Sequence, residues 1–166
     1  MLFIVLSGKE QQIVRFAKEE DLTRVNELRR MVNDLHCEGK SDIFRDGWCK
    51  ELEDHVFAMW SDEDKDIIVA ERDGGICGYA CVNHIHRPQS PYMWARDLYE
   101  VNEFGVDEKF RRQGVATELF EFLRADATTK GFPKIDLNVW EFNQEAIQFY
   151  EAVGFQVYRR YMEFKL

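Results

Sequence analysis

The period of the hydrophobic positions changes several times along the chain, and each change predicts a new element. Ile13 to Ala17 alternates and starts β-branched, which predicts a strand. From Glu20 the period becomes helical. Leu22, Val25, Leu28, Val32 and Leu35 share one face, acidic residues fill the first turn, and Gly39 follows the end. Trp48, Leu52, Val56 and Met59 form a second helical stripe after the turn-like Arg45-Asp46-Gly47. Asp66–Arg72 and Ile76–His84 read as strands joined by Asp73-Gly74-Gly75, a strong hairpin signal. Pro88 and Pro91 mark a loop, and Leu98–Val106 reads as a further strand. A charged turn then opens a long amphipathic helix from about Gly114 to Thr129, which Gly131 and Pro133 stop. Lys134–Val139 is expected as a strand, Asn143–Val153 as a helix capped by Gly154, and Gln156–Lys165 as a last alternating strand.

The predicted order is β-α-α-β-β-β-α-β-α-β. Adjacent strands mixed with βαβ units imply a single α/β (α+β) domain around a mixed sheet flanked by helices. Length agrees, since 166 residues bury one substantial core. The composition, 45% hydrophobic and 32% charged, is that of a globular chain and not of a disordered one. Residues 1–12 stand apart. Met1-Leu2-Phe3-Ile4-Val5-Leu6 is apolar but lacks a basic flank and is too short for a signal segment, so it is read as an extra N-terminal strand or a leader. The domain proper is expected over residues 13–166.

Charge narrows the partners. With 22 Lys plus Arg against 31 Asp plus Glu, the net charge is −9, which disfavours nucleic acid and suits cationic partners such as amines. No apolar run approaches the ~20 residues that span a bilayer. Cys37, Cys49, Cys77 and Cys81 form no CxxC pair, and His36 and His55 complete no usual ligand spacing. No metal is expected, and reduced thiols in a cytoplasmic protein are.

The chemistry concentrates in Val101 to Ala116, where a strand runs into a turn with two arginines and a glycine and then directly into a helix. A helix N-terminus leaves backbone N–H groups unpaired under a partial positive charge, and glycine lets an anion approach them closely. Such a turn suits a pyrophosphate. An ordinary βα turn with solvated arginines is the other reading of the same residues.

With the element order added, the chain resembles the GNAT superfamily of acyl-CoA-dependent N-acetyltransferases. Arg111-Arg112-Gln113-Gly114-Val115-Ala116 matches the family turn, with Ala in its last place. Downstream, the stretch from Asn143 through Ala146 and Tyr150 to Gly154-Phe155 matches a second family signature. Val14-Arg15-Phe16-Ala17 followed by Asp21-Leu22 is similar to a family start, so the resemblance runs from about Ile13 onward. It implies a mostly antiparallel central sheet and acetyl-CoA as cosubstrate. In the family the strand before the turn diverges from the strand after the helix, and the pantetheine arm lies in the gap. By this resemblance Phe104, Gly105 and Val106 pair with the pantetheine amides. The N–H groups of Arg111, Arg112, Gln113, Gly114, Val115, Ala116 and Thr117 receive the pyrophosphate. Asn138 and Asn143 are further coenzyme contacts, although an N-cap alone also explains Asn143.

The resemblance also places Tyr150 where the family carries its general acid. A phenol beside the sulfur protonates the leaving thiolate, and its ordinary pKa near 10 keeps it protonated at neutral pH. The helix stripe of Ala146, Phe149 and Val153 makes a core aromatic the alternative. Glu100 and Glu103 are the base candidates, because a protonated amine must lose a proton before attack. Strict alternation puts them on opposite faces, unless a bulge upsets the count.

The expected activity is acetyl transfer from acetyl-CoA to a primary amine of a small molecule or peptide by direct attack. A non-catalytic acyl-CoA-binding module is the alternative. Residues 38–48 and 87–97 are expected to shape the acceptor surface, for a cationic and partly apolar amine. No nucleic-acid or membrane partner is expected, and a homodimer is left open.

Overall fold

The computed structural model describes residues 3–5 and 12–166. Six strands form one sheet in chain order: β1 (Phe3–Val5), β2 (Gln12–Phe16), β3 (Lys65–Arg72), β4 (Gly75–Arg87), β5 (Arg96–Val106) and β6 (Ile135–Leu137). Every neighbouring pair is antiparallel except β5 and β6, which are parallel. The rest of the segment 1–12, and with it the leader reading, lies outside the described residues.

Two helices, α1 (Leu22–Gly39) and α2 (Lys50–Trp60), cover one face of the sheet, and α3 (Val115–Thr129) covers the other. The alternation of the strands decides what each side receives. Ile68, Ala80, Val82, Tyr99 and Val101 meet Leu119, Phe122 and Leu123 of α3. Ile67, Val69, Tyr79 and Cys81 meet Leu22, Val25 and Leu28 of α1 with Val56 and Met59 of α2. Full burial of one such side chain stabilises by about 1.5–3 kcal/mol, so the helical stripe of α1 alone anchors it firmly. The β3–β4 hairpin turns on Asp73 (φ 54°) and Gly74 (φ 76°), the paired left-handed conformation that the Asp-Gly-Gly stretch favours. α4 (Gln144–Ala152) closes the βα unit after β6.

Two features depart from the sequence expectation. Gln156–Lys165 forms no strand: residues 155–166 pair with no strand among the described residues, and Tyr161, Met162 and Phe164 are left exposed. Beyond the Phe155 N–H, which donates to Tyr150 O at 2.9 Å, side chains hold the segment, such as Tyr158 Oη donating to Asp136 at 2.5 Å and Lys40 Nζ to Glu163 at 2.7 Å. The second departure lies inside β5. Glu103 pairs with Cys81 and Val101 with the next residue, Val82, so Asn102 is an inserted bulge residue.

Candidate active site

The bulge does two things at once. β5 pairs with β6 only through Tyr99, Glu100 and Val101, so beyond Asn102 the edge of β5 is unpaired on that side and the sheet opens. It also resets the alternation. Tyr99 and Val101 pack toward α3, whereas Glu103 reaches Arg29 of α1 on the other side. Glu100 and Glu103 therefore share a face, contrary to strict alternation.

A cavity of about 980 Å³ runs from the open edge of β5 between α1, α3 and α4. Phe104, Gly105 and Val106 form one wall with no strand paired to them on the cavity side, and Arg111 Nε donates to Val106 O at 3.4 Å. At the next turn Arg112 (φ 60°) and Gly114 (φ 88°) are both left-handed, which swings the chain into α3. Gly114 caps α3 with no side chain, and the first helical bond is Glu118 N–H to Gly114 O. The N–H groups of Val115, Ala116 and Thr117 thus have no helix acceptor, and these three residues line the cavity. Arg111 and Arg112 line it too, each within reach of Glu145 on α4 at 3.7 and 3.2 Å.

Gln113 is turned away. Its side-chain oxygen accepts from Arg72 Nη1 at 2.9 Å, and its amide nitrogen donates to Lys109 O at 2.8 Å. Asn138 lies just past β6 on the cavity wall. Asn143 lines it as well and caps α4, with Oδ1 accepting from Ala146 N–H at 3.2 Å.

Tyr150 reaches the cavity from α4 among the rings of Phe104, Phe149 and Phe155. Burial in this aromatic nest pushes its phenol up to about 12. Glu103 also lines the cavity, but both of its oxygens are engaged. Arg29 Nε donates to Oε2 at 2.8 Å and Nη2 to Oε1 at 2.9 Å, while Tyr79 Oη donates to Oε2 at 3.3 Å. Arg29 is itself held further, with Nη1 donating to Asn26 Oδ1 and Leu52 O, both at 2.8 Å, under the ring of Trp48. Glu100 stands outside the cavity wall and accepts from Asn83 Nδ2 at 3.0 Å through Oε2.

Sequence reasoning missed the far end of the cavity. Met31, Leu35 and His36 of α1 face Val139, Trp140 and Phe142 there. Leu35 was visible as part of a helical stripe, but the stripe gave no sign that its last turn faces a cavity. Of the expected acceptor segments, Phe44 stacks on His36 at 4.8 Å. Tyr92 and Trp94 stay open to solvent.

The sequence matches the acetyltransferase (GNAT) family over residues 29–155, which spans the cavity from α1 to the end of α4. The chain belongs to the GNAT family. Among solved structures, a variant of the BH1408 protein from Bacillus halodurans is 25% identical, with a TM-score of 0.88 over 92% of this chain and 98% of that one. The aminoglycoside N-acetyltransferase AAC(6')-Iy in complex with CoA shares the fold at 16% identity and a TM-score of 0.76, covering 98% of this chain and 99% of the other. An aminoglycoside acetyltransferase from an uncultured soil metagenomic sample, in complex with trehalose, shares it at 18% identity and 0.67, covering 93% and 97%. As a GNAT protein the chain has the family's mixed, mostly antiparallel sheet. Among the described residues no cluster is built to hold a metal, and no helix is long and apolar enough to cross a membrane.

Proposed function

We propose that this GNAT protein transfers the acetyl group of acetyl-CoA to a primary amine by direct attack. The observation that carries the reading is the sheet opening beyond Asn102 into a turn that ends on the unclaimed N–H groups of Val115, Ala116 and Thr117. The Arg111 N–H is already given to Glu108 O at 3.3 Å, which leaves that residue only its side chain to offer. These residues fit the coenzyme. Phe104, Gly105 and Val106 would hold the pantetheine amides, and Val115, Ala116 and Thr117 with Arg111 and Arg112 the pyrophosphate. Asn138 and Asn143 complete the wall, while Gln113 contributes backbone only. The coenzyme supplies an activated thioester carbonyl.

The amine nitrogen bonds to that carbonyl as the C–S bond breaks. Tyr150 Oη donates its proton to the sulfur, a role that a phenol still protonated above pH 10 suits. The proton lost by the amine goes to the glutamate face of β5. Glu103 serves there as a fixed negative charge because Arg29 occupies both its oxygens, and Glu100, with Oε1 free of protein partners among the described residues, accepts the proton through water. No covalent enzyme intermediate is needed, since Cys37, Cys77 and Cys81 are buried and Cys49 lies outside the cavity wall.

The acting unit in this reading is residues 13–166, working in the cytoplasm, where four free thiols are at home. A homodimer belongs to the same reading. It is supported by the contiguous exposed run of Val157, Tyr158, Tyr161, Met162, Phe164 and Leu166, which a second copy would cover. The acyl-CoA-binding alternative lacks a comparable observation, since binding alone needs no phenol at the sulfur end.

The decisive measurement is thiol release from acetyl-CoA with an amine panel, comparing wild type with Tyr150→Phe. A loss of about 10²–10⁴ in kcat with unchanged melting temperature is expected. Tight CoA binding without amine-dependent thiol release would make the protein a binding module.

A further inference from the structure

The far end of the cavity is built of rings. His36 stacks on Phe44 with centroids 4.8 Å apart, and Phe44 meets Trp140 edge-on at 5.1 Å. Trp140 lies parallel to Phe142 at 6.1 Å, and Phe142 returns to His36 edge-on at 6.0 Å. The four rings pack on one another as a box joining the end of α1, the loop after it and the segment after β6; His36, Trp140 and Phe142 present a side to the cavity and Phe44 backs them. Gly39 shows how tightly the box is clamped, because a Cβ there would lie 2.3 Å from the Phe142 ring. The box is nonetheless open to a ligand, with Trp140 still 37% exposed on the cavity wall.

The charges on the cavity wall itself are spent. The two carboxylates on the cavity wall are Glu103, held by Arg29, and Glu145, held by Arg111 and Arg112. On the loop beside the box, Asp42 pairs with Lys40 at 3.2 Å. Burial pushes the His36 imidazole down, so a neutral ring faces the ligand. A polycation finds no row of free carboxylates here, while a flat apolar group finds rings on several sides.

We infer that the acceptor is a primary amine carried on an aromatic group by a short linker, an arylalkylamine, with the cavity sides of His36, Trp140 and Phe142 receiving its ring. The inference rests on the acetyl-transfer reading and narrows it. The ring lies on the cavity side of the box, and the single amino group points back toward Glu103 and the thioester. An amine with several separated charges would leave them unpaired against apolar walls, which is costly. This sets the chain apart from the aminoglycoside acetyltransferases whose fold it shares.

Two readouts separate the inference from the reading beneath it. Calorimetry on the protein saturated with CoA compares phenethylamine and tryptamine with spermidine and neamine. At least tenfold tighter binding of the arylalkylamines is expected. Trp140→Leu, which keeps an apolar wall without a ring, should weaken phenethylamine by about two- to twelvefold and leave CoA affinity unchanged. Equal or tighter binding of spermidine or neamine, or no arylalkylamine binding at all, overturns the inference. Thiol release from acetyl-CoA, in parallel samples with the same amines, tests acetyl transfer separately. Arylalkylamine binding without thiol release would refute the transfer reading and keep the box as an amine site.

Discussion

Replacing Arg29 by Met tests the charge pair that joins α1 to β5. The Arg29 side chain is 5% exposed and Glu103 22%, and the pair makes two direct hydrogen bonds. Met fills the space but strands the Glu103 carboxylate and leaves Asn26 Oδ1 and Leu52 O without their donor. Breaking a buried pair from one side costs about 3–5 kcal/mol, and the cavity water that reaches Glu103 puts the value near the lower end. At about 2–4 °C per kcal/mol for a chain of this size, about 3 kcal/mol lowers Tm by roughly 6–12 °C. Arg29→Met/Glu103→Gln removes the stranded charge and still offers Tyr79 an acceptor, so it should recover most of that loss. Chemical and thermal unfolding of the single and double variants measure both steps. A loss below about 1 kcal/mol for Arg29→Met, or a double variant no more stable than the single, would refute the assignment of Glu103 as a buried anion fixed by Arg29.

The raised Tyr150 phenol predicts that ultraviolet titration of tyrosinate between pH 9 and 11 is the same in wild type and Tyr150→Phe, and that the two diverge only near pH 12. Divergence near pH 10 would place Tyr150 in solvent. Gly114→Ala should cost about 1–2 kcal/mol because the φ of 88° is left-handed, and leave acetyl-CoA affinity largely intact. Gly114→Glu should abolish most of that affinity in a folded protein, as calorimetry will show. For Asp21, burial works against ionisation, but Arg15 at 2.6 Å and the Lys18 N–H outweigh it and hold the carboxyl below its usual range. Its contribution to stability is present above pH 4 and lost as pH falls through its depressed value, so Asp21→Asn should flatten the fall of Tm with acid. A chain cut before Val157 should remain folded and lose self-association in light scattering, if the exposed C-terminal run is the dimer contact.

The elements were legible where one residue period dominates a local segment. The stripes of α1, α2 and α3 and the Asp73-Gly74 turn are of this kind, because each is decided by neighbours within a few turns. The C-terminal segment shows the limit of that logic. Tyr158, Met162, Phe164 and Leu166 alternate like a strand, but β6, the nearest free edge, is only the three residues Ile135–Leu137, and the segment reaches it through the Tyr158 side chain on Asp136 and not through a ladder. The coenzyme side of the cavity was legible for a similar reason, since the turn from Arg111 to Thr117 is contiguous. Gln113 was not, because its direction follows from the left-handed Arg112 before it and from Arg72 on another strand. The Arg29–Glu103 pair joins residues 74 positions apart, and the four-ring box draws on three separate segments without any shared period.

Because Asn102 has no rung of its own on β4, the two halves of β5 run one residue out of phase. A relative whose strand lacks this insertion keeps a carboxylate on the same face by stepping back two residues from its counterpart of Glu103, where this chain steps back three. Matched letter against letter without a gap, that carboxylate falls on Val101, which here points into the core against α3. Its true spatial equivalent is Glu100. Equivalence along this strand is counted in rungs of the ladder, and a catalytic acid transferred by residue count alone arrives on the wrong side of the sheet.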